Sequence, residues 1–152
     1  EKALIGQSMV VANRRIAQGE VVGVYGGTLR PRYQITREQD TFNMLAGHKL
    51  RLTAGQLFKE PMVISGDNIT SRINTIFEYD ATGKPISQAG AGYNIERIGY
   101  DVQADELYGK GDKTIRNDYV LTALFATEDI AAGTELRMDY GYTDAMIKRK
   151  FP

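Results

Sequence analysis

Apolar residues occur in short segments separated by turns rich in Gly and polar residues, a pattern typical of β-strands. Two stretches share this organisation. Residues 9–12 and 21–25 flank one turn, and residues 121–125 and 135–140 flank the other. β-branched and aromatic side chains are frequent in these segments, and they favour the pleated surface of a strand. The pattern therefore predicts two strand–turn–strand units, one near each end of the chain.

The two turns form an imperfect repeat. Residues 12–20 read ANRRIAQGE and residues 126–134 read ATEDIAAGT, so that Gly19 and Gly133 occupy the same place. Gly can adopt a left-handed turn conformation that other residues reach only at a cost. Shared turn chemistry would give the same likeness, so the repeat leaves open whether the two units are related in structure.

The middle of the chain predicts further short elements. A Thr that can cap a helix precedes mixed polar and apolar residues, which predicts one short helix over residues 36–45. The other predictions are strands within 49–58, 61–66 and 94–102, a Gly-rich surface excursion at 80–93, a polar loop at 104–118 and a basic helical tail at 144–150. Many short strands with one or two brief helices indicate a mainly β fold, either barrel-like or built from several small sheets.

Composition narrows the class of protein. A chain of 152 residues with 42% hydrophobic content can form one domain with its own core. Its 19 basic and 19 acidic residues balance, so no nucleic-acid partner is expected. With no Cys and one His, no metal site is expected. No apolar run approaches the roughly 20 residues of a spanning helix, so no membrane association is expected.

No apolar signal segment opens the given sequence, so a soluble domain is expected. The sequence leaves the localisation unknown, and an intracellular site of action, in the cytoplasm or nucleus, is the favoured expectation. A start at Glu1 without Met is expected of an excised fragment or a processed product. Two Asn residues also stand out: Asn74 follows an apolar Ile, and Asn94 follows the Gly-rich excursion. A buried Asn needs partners, either as a structural bridge or as a ligand contact.

Three motifs carry a resemblance to a known family. Residues 124–142, LFATEDIAAGTELRMDYGY, closely resemble the final segment of SET domains, the fold of protein lysine methyltransferases. Residues 10–27, VVANRRIAQGEVVGVYGG, resemble the first segment of that family. Residues 69–76, ITSRINTI, resemble its Asn motif, although only Ile73 and Asn74 match it well.

The resemblance implies a mainly β SET-type fold, β-clip-like, with short helices, several small sheets and a knot-like C-terminal core. It divides the single domain 1–152 into an N-terminal SET segment 1–29, a variable insert 30–65, a C-terminal SET segment 66–142 and a tail 143–152. It also implies a function: S-adenosylmethionine-dependent methyl transfer to a lysine side chain of a protein. A histone tail is one candidate substrate, and a bacterial effector acting on host chromatin is one conceivable setting.

The resemblance also assigns roles to individual residues. Those expected to bind the cofactor are Gln7, Ser8, Met9, Asn74 and Tyr142. Tyr25 and Tyr140 are the expected catalytic residues, with the target lysine entering between them, and Met138 joins them in the substrate channel. Asn94 is expected to be structural or to lie on the cofactor side. A Met at position 138 offers no hydroxyl, which favours products beyond monomethyl-lysine.

Departures from the family keep other functions open. Thr75 and Ile76 stand where the Asn motif has His and Ser, and the chain lacks the cysteine-rich zinc module that closes many such sites. One alternative is a catalytically degenerate SET-like module that binds cofactor or a partner peptide without turnover. A small β enzyme of another kind or a sugar-binding β domain is a further alternative.

Overall fold

The computed structural model describes residues 8–31, 43–45, 50–51, 57–58, 62–102, 116–117 and 119–152. The strands are β1 Val21–Val24, β2 Gly27–Pro31, β3 Asn43–Leu45, β4 Leu50–Arg51, β5 Leu57–Phe58, β6 Met62–Gly66, β7 Phe77–Tyr79, β8 Pro85–Gln88, β9 Ile95–Val102, β10 Arg116–Asn117 and β11 Tyr119–Ala126. A 3-10 helix spans Ile69–Arg72, and an α-helix, α1, spans Asp144–Lys150. In the described part of the chain the fold is therefore mainly β with one short α-helix.

The strands form several small sheets. Three sheets have three strands each, in the orders β1-β11-β9, β10-β4-β5 and β2-β6-β3, and β7 pairs with β8. β2 and β3 are both antiparallel to β6, and β4 is antiparallel to β5 and β10. The expectation of a mainly β fold built from several small sheets is confirmed. Within these residues no helix is long and apolar enough to cross a membrane.

The chain divides into two compact units. The first comprises residues 1–22, 72–97 and 124–152, and the second comprises residues 23–71 and 98–123. In the second unit, Ile69–Arg72 begins beside Asn68, whose side-chain amide donates to the Val24 carbonyl at 2.9 Å. The Thr70 hydroxyl is buried and donates to the same carbonyl at 2.8 Å. Both bonds satisfy the Val24 carbonyl at the end of β1, and they hold the short helix beside that strand.

In the first unit, the two repeated turns pair with each other. Ile16 and Ile130 exchange both backbone hydrogen bonds, each 2.9 Å long. The flanking backbone bonds are equivalent in the same way. The N–H of Gly19 donates to the Ala126 carbonyl and that of Gly133 to the Ala12 carbonyl, both at 2.8 Å. The N–H of Ala12 donates to the Thr134 carbonyl at 2.9 Å and that of Ala126 to the Glu20 carbonyl at 3.0 Å. Equivalent positions of the repeat therefore make equivalent bonds. The two repeated units are therefore related in structure, because their turns pair in an approximate two-fold arrangement.

Both turn glycines adopt the predicted conformation, with φ of 77° at Gly19 and 87° at Gly133. The pairing buries apolar side chains from both turns, since Ile16 is 7% exposed and Ile130 is 2% exposed. The outer arms differ from the prediction. Residues 9–12 and 135–138 form isolated bridges, such as Val11 with Glu135, and no regular strands. The arms meet each other across the repeat, so each turn does not close a hairpin of its own.

The structure confirms some predicted elements and corrects others. Strands Met62–Gly66 and Ile95–Val102 and helix Asp144–Lys150 fall where the pattern predicted them. The helix prediction over 36–45 is wrong at its end, because Asn43–Leu45 is a strand paired with β6; residues 36–42 lie outside the described part. Strand pairing overrides local helical spacing there.

The Gly-rich excursion at 80–93 also contains more order than predicted. Pro85–Gln88 is a strand that pairs with Phe77–Tyr79 to form a hairpin. The Asp80 carboxylate closes its turn by accepting the Thr82 backbone N–H at 2.8 Å and the Lys84 backbone N–H at 3.0 Å. Of the loop predicted at 104–118, only Arg116–Asn117 is described, and it is a strand.

Candidate functional site

The C-terminal segment of the SET-like resemblance lies against the two Asn residues in the first unit. Asn74 forms a parallel bridge with Arg137, and Ile95 forms a parallel bridge with Met138. The Met138 backbone N–H donates to the Asn74 carbonyl at 2.9 Å, and the Ile95 N–H donates to the Arg137 carbonyl at 3.0 Å. Three sequence segments that are distant along the chain therefore meet at residues 137 and 138.

Asn94 is a structural bridge in this arrangement. It is 6% exposed, its side-chain Oδ1 accepts from the Arg137 backbone N–H at 2.8 Å, and its Nδ2 donates to the Glu135 carbonyl at 2.9 Å. Both halves of the amide are thus engaged with the backbone of the C-terminal segment. These side-chain bonds add to the backbone bonds that Asn94 and Ile95 make with Arg137, and together they hold the two segments in place.

Asn74 contacts one of the other residues expected to bind the cofactor. Its Nδ2 donates to the Ser8 carbonyl and to the Glu135 carboxylate, each at 3.2 Å. Glu135 also pairs with Arg137 at 2.7 Å. The structure brings Ser8 and Asn74 together, with Met9 next to them in the chain and 62% exposed. Gln7 lies outside the described residues.

Tyr140 is held through its hydroxyl. The phenol donates to the Ile73 carbonyl at 2.6 Å, and Ile73 itself is completely buried. The Tyr140 carbonyl accepts from Arg97 at 3.3 Å. A phenol that donates its proton retains oxygen lone pairs as acceptors. The hydroxyl is therefore fixed in direction and can act as an acceptor toward a ligand N–H.

Tyr142 sits in an aromatic cluster. Its ring stacks on Phe77 with centroids 6.2 Å apart, and its edge meets the Tyr140 ring at 5.5 Å. Phe151 packs on Phe77 at 5.3 Å. The Lys150 ammonium lies 4.8 Å from the centre of the Tyr142 ring and donates to the Tyr142 hydroxyl at 3.0 Å. The ring therefore already contacts one cation, as an electron-rich aromatic face can.

The sequence did not assign Phe77, Phe151 or Lys150 to the site, because none belongs to the motifs that carried the resemblance. The signal that could have found Lys150 is its spacing from Tyr142, on a short helix that follows directly. Phe77 reaches the cluster through the β7–β8 hairpin, and α1 packs against β8. Only the packing reveals that these elements share one side of the unit.

The turn from Asp139 to Tyr142 is shaped by side-chain bonds. The Gly141 backbone has a φ of 69°, and its N–H donates to the Asp139 carboxylate at 2.6 Å. The same carboxylate oxygen accepts from the side-chain amide of Gln88, whose Oε1 accepts from the Tyr142 backbone N–H at 2.8 Å. Gln88 is a further residue that the sequence did not mark, since it lies inside the excursion predicted as a surface loop.

No protein-family model and no curated protein matches this chain. The SET-like resemblance thus rests on the sequence motifs.

The two remaining site residues are buried. Met138 is 2% exposed in the first unit, and Tyr25 is 4% exposed in the second. The Tyr25 backbone N–H donates to the Thr122 carbonyl at 2.8 Å. A Cβ at Gly66 would lie 2.5 Å from the Tyr25 hydroxyl oxygen and 2.3 Å from Ser71 Cβ, so the packing around Tyr25 requires Gly there. The catalytic role expected of Tyr25 stays a prediction.

In the part of the chain that the structure describes, no group of three or more His, Cys, Asp and Glu side chains could hold a metal ion. What the site offers is a different set of groups. It combines fixed oxygen acceptors at Ser8, Glu135 and Tyr140 with the aromatic faces of Tyr140 and Tyr142. Acceptors and aromatic faces of this kind suit cationic or N–H-bearing ligands.

Proposed function

We propose that the chain is a SET-like protein lysine methyltransferase that uses S-adenosylmethionine. The observation that carries the proposal is the contact between two separately matched motifs, the Asn motif and the C-terminal segment: Asn74 pairs with residues 137 and 138, and the Tyr140 hydroxyl bonds the Ile73 carbonyl. These motifs were matched one by one along the sequence, without regard to contacts between them. Contact between the Asn motif and the C-terminal segment is what the resemblance implies, and it supports the proposal.

The residues of the first unit fit the chemistry of the cofactor. When bound, S-adenosylmethionine supplies a methyl group activated by a positively charged sulfonium. The Ser8 carbonyl and the Glu135 carboxylate are acceptors suited to its cationic amine, and both lie within hydrogen-bond distance of Asn74. The Tyr142 ring already contacts the Lys150 cation. We assign Ser8, Met9, Asn74 and Tyr142 to cofactor binding, with Gln7 assigned on the motif alone.

Tyr140 would orient the lysine amine. Methyl transfer needs a neutral nitrogen whose lone pair points at the methyl carbon, so alignment and exclusion of water matter more than a strong base. A desolvated amine beside a positive charge has a lowered pKa, which favours the neutral form. Because the Tyr140 hydroxyl donates to Ile73, its oxygen can accept an N–H of the amine and fix the direction of the lone pair.

Met138 bears on the number of methyl groups added. Its side chain is buried beside the segment that carries Tyr140, and it has no hydroxyl to anchor a water molecule. A second methylation requires the methylated amine to turn, and a flexible thioether obstructs that turn less than a fixed polar group. We therefore propose products beyond monomethyl-lysine.

Two measurements test the proposal. Calorimetric titration with S-adenosylmethionine is expected to show binding, and incubation with histones is expected to add methyl groups to lysine, read by mass spectrometry. Binding without transfer would identify the degenerate module that the sequence left open. Absence of binding to a folded protein would contradict the proposal and leave a mainly β fold without assigned chemistry.

A matched pair of variants links the binding to the site. Asn74→Ala is expected to weaken the cofactor Kd by about fivefold or more, since removal of one hydrogen-bonding partner typically costs about 1 kcal/mol. Thr82→Ala, in the exposed turn of the β7–β8 hairpin, should leave the Kd unchanged. Equal affinities for the two variants would mean that Asn74 is only structural.

A further inference from the structure

The turn at residues 139–142 depends on a residue outside every motif. Within the described chain, this turn belongs to no strand or helix, so backbone ladders do not fix it. Gln88 reaches both of its ends. Its Nε2 donates to the Asp139 carboxylate, and its Oε1 accepts from the Tyr142 backbone N–H at 2.8 Å. A carboxamide can make both bonds at once because it carries a donor and an acceptor side by side.

The strand pairing places Gln88 for this task. Gln88 ends β8 and is the direct partner of Phe77 on β7. Phe77 stacks on the Tyr142 ring with an interplanar angle of 15°. Two cross-strand partners at one end of the hairpin therefore hold Tyr142, one by its backbone and the other by its ring. Cross-strand pairs are fixed by the register of the hairpin, which makes the two contacts interdependent.

We propose that Gln88 is a positioning residue, which locks the Asp139–Tyr142 turn and thereby sets the places of Tyr140 and Tyr142. The effect of Gln88 on catalysis rests on the proposed methyl transfer, whereas its role in holding the turn does not. Tyr140 lies between the two ends that Gln88 holds, and its own hydroxyl is anchored on the far side by Ile73. Loosening the Gln88 end would let the Tyr140 ring shift while the Ile73 contact acts as a pivot.

The proposal predicts a graded series of variants. Gln88→Met keeps the length of the side chain and removes both bonds. Gln88→Glu keeps the acceptor for Tyr142 but removes the donor and sets a second carboxylate beside Asp139. Ser87→Ala is the matched control, because Ser87 is on the same strand and donates to Glu78, away from the turn.

Amide hydrogen exchange at Tyr142, followed by NMR, tests the lock directly. In Gln88→Met the exchange is expected to accelerate by about fivefold or more, the effect of losing one hydrogen bond of ordinary strength. In Gln88→Glu and Ser87→Ala it should stay closer to the parent. Unchanged exchange in the Met variant would overturn the proposal whether or not the protein is an enzyme.

Kinetics tests the consequence for the reaction. After correction for the folded fraction, Gln88→Met is expected to lower kcat by about tenfold to a hundredfold, the scale of a small misplacement of a reacting group, with little change in the KM of the substrate. The kcat of Gln88→Glu should lie between those of Gln88→Met and the parent. A kcat equal to that of Ser87→Ala would overturn the positioning role. A parent protein that transfers no methyl group would contradict the proposed function. The hydrogen exchange at Tyr142 would still test whether Gln88 holds the turn.

Discussion

The paired turns at residues 12–20 and 126–134 and the turn at residues 139–142 are built in different ways. A symmetric set of backbone bonds holds the paired turns, each with an equivalent made by the other turn, and exposed side-chain bonds such as those to Asp129 add to it. Side chains hold the second turn: Gln88 from the β7–β8 hairpin, and the Asp139 carboxylate and Tyr140 hydroxyl from the turn itself. Both regions contain glycines with positive φ.

The difference separates scaffold from site. Backbone pairing tolerates many side chains as long as the buried positions stay apolar, so the paired turns can vary in sequence and keep their shape. A turn held by three specific side chains tolerates little change. Its specific groups, in return, fix an acceptor and two aromatic rings in place. Residues that must be held in one geometry are supported in this way in functional sites.

The largest effect expected in the paired turns follows from the loss of a buried side chain. Ile130→Ala should lower the free energy of unfolding by about 2–5 kcal/mol, because Ile130 is 2% exposed and the space it leaves cannot close fully. Denaturant titration measures it. Ile69→Ala, at a position that is 71% exposed, is the control and should change little. A loss below about 1 kcal/mol for Ile130→Ala would mean that the paired turns are not the core of the first unit.

Two glycines compare the regions directly. Gly133→Ala and Gly141→Ala each force Ala to a positive φ, which costs about 1–2 kcal/mol of stability. A Cβ at Gly133 meets nothing within 4 Å, whereas one at Gly141 lies 2.9 Å from the flexible end of Arg97. We expect similar losses of stability, but a decrease in kcat of about tenfold or more only for Gly141→Ala.

The control for both is Gly90→Ala, where the space is open and φ is not positive, and stability should stay within about 0.5 kcal/mol of the parent. Equal activity of the two Ala variants would remove the distinction between scaffold and site.

The smallest effect concerns pH. The backbone N–H of Gln18, with help from Arg15, lowers the pKa of the Asp129 carboxyl, and Arg14 lowers the pKa of Glu20. A carboxyl with a lowered folded pKa stabilises the fold above its unfolded pKa, and that stabilisation is lost as the pH falls through the folded value. The Tm should therefore decrease as the pH is lowered into and below the ordinary carboxyl range. Asp129→Asn should weaken this dependence; an identical pH profile would contradict the contribution of Asp129.

The sequence predicted the scaffold better than the site. Gly19 and Gly133 marked the turns, and β-branched and aromatic residues between turn signals located strands such as Ile95–Val102, because these signals are local. The pairing of the two turns is a tertiary contact, which the sequence repeat alone did not predict. The helix predicted at 36–45 gave way to β3 because β6 offers it a partner.

The site was only partly predictable for the same reason. The family resemblance marked Asn74, Asn94 and Tyr140. In the structure both Asn residues contact Arg137, and Tyr140, in the same C-terminal segment, bonds the Ile73 carbonyl. Gln88 and Phe77 carry no local signal, since a Gln at the end of a strand in a Gly-rich stretch is an ordinary surface pattern. Their importance arises from the fold of the hairpin against the turn.

Substitution of Tyr140 by Phe, assayed for methyl transfer, tests the central claim most directly. The Phe variant keeps the ring and its contact with Tyr142 but loses the hydroxyl that donates to Ile73. The loss of that bond should lower stability by about 1 kcal/mol. Loss of one well-placed polar contact in a dry site should raise the barrier by about 2.7–4 kcal/mol, so the rate at saturating cofactor should drop about a hundredfold or more with the cofactor Kd little changed. A folded Tyr140→Phe protein that transfers methyl groups as fast as the parent would contradict the role of Tyr140 and the mechanism built on it.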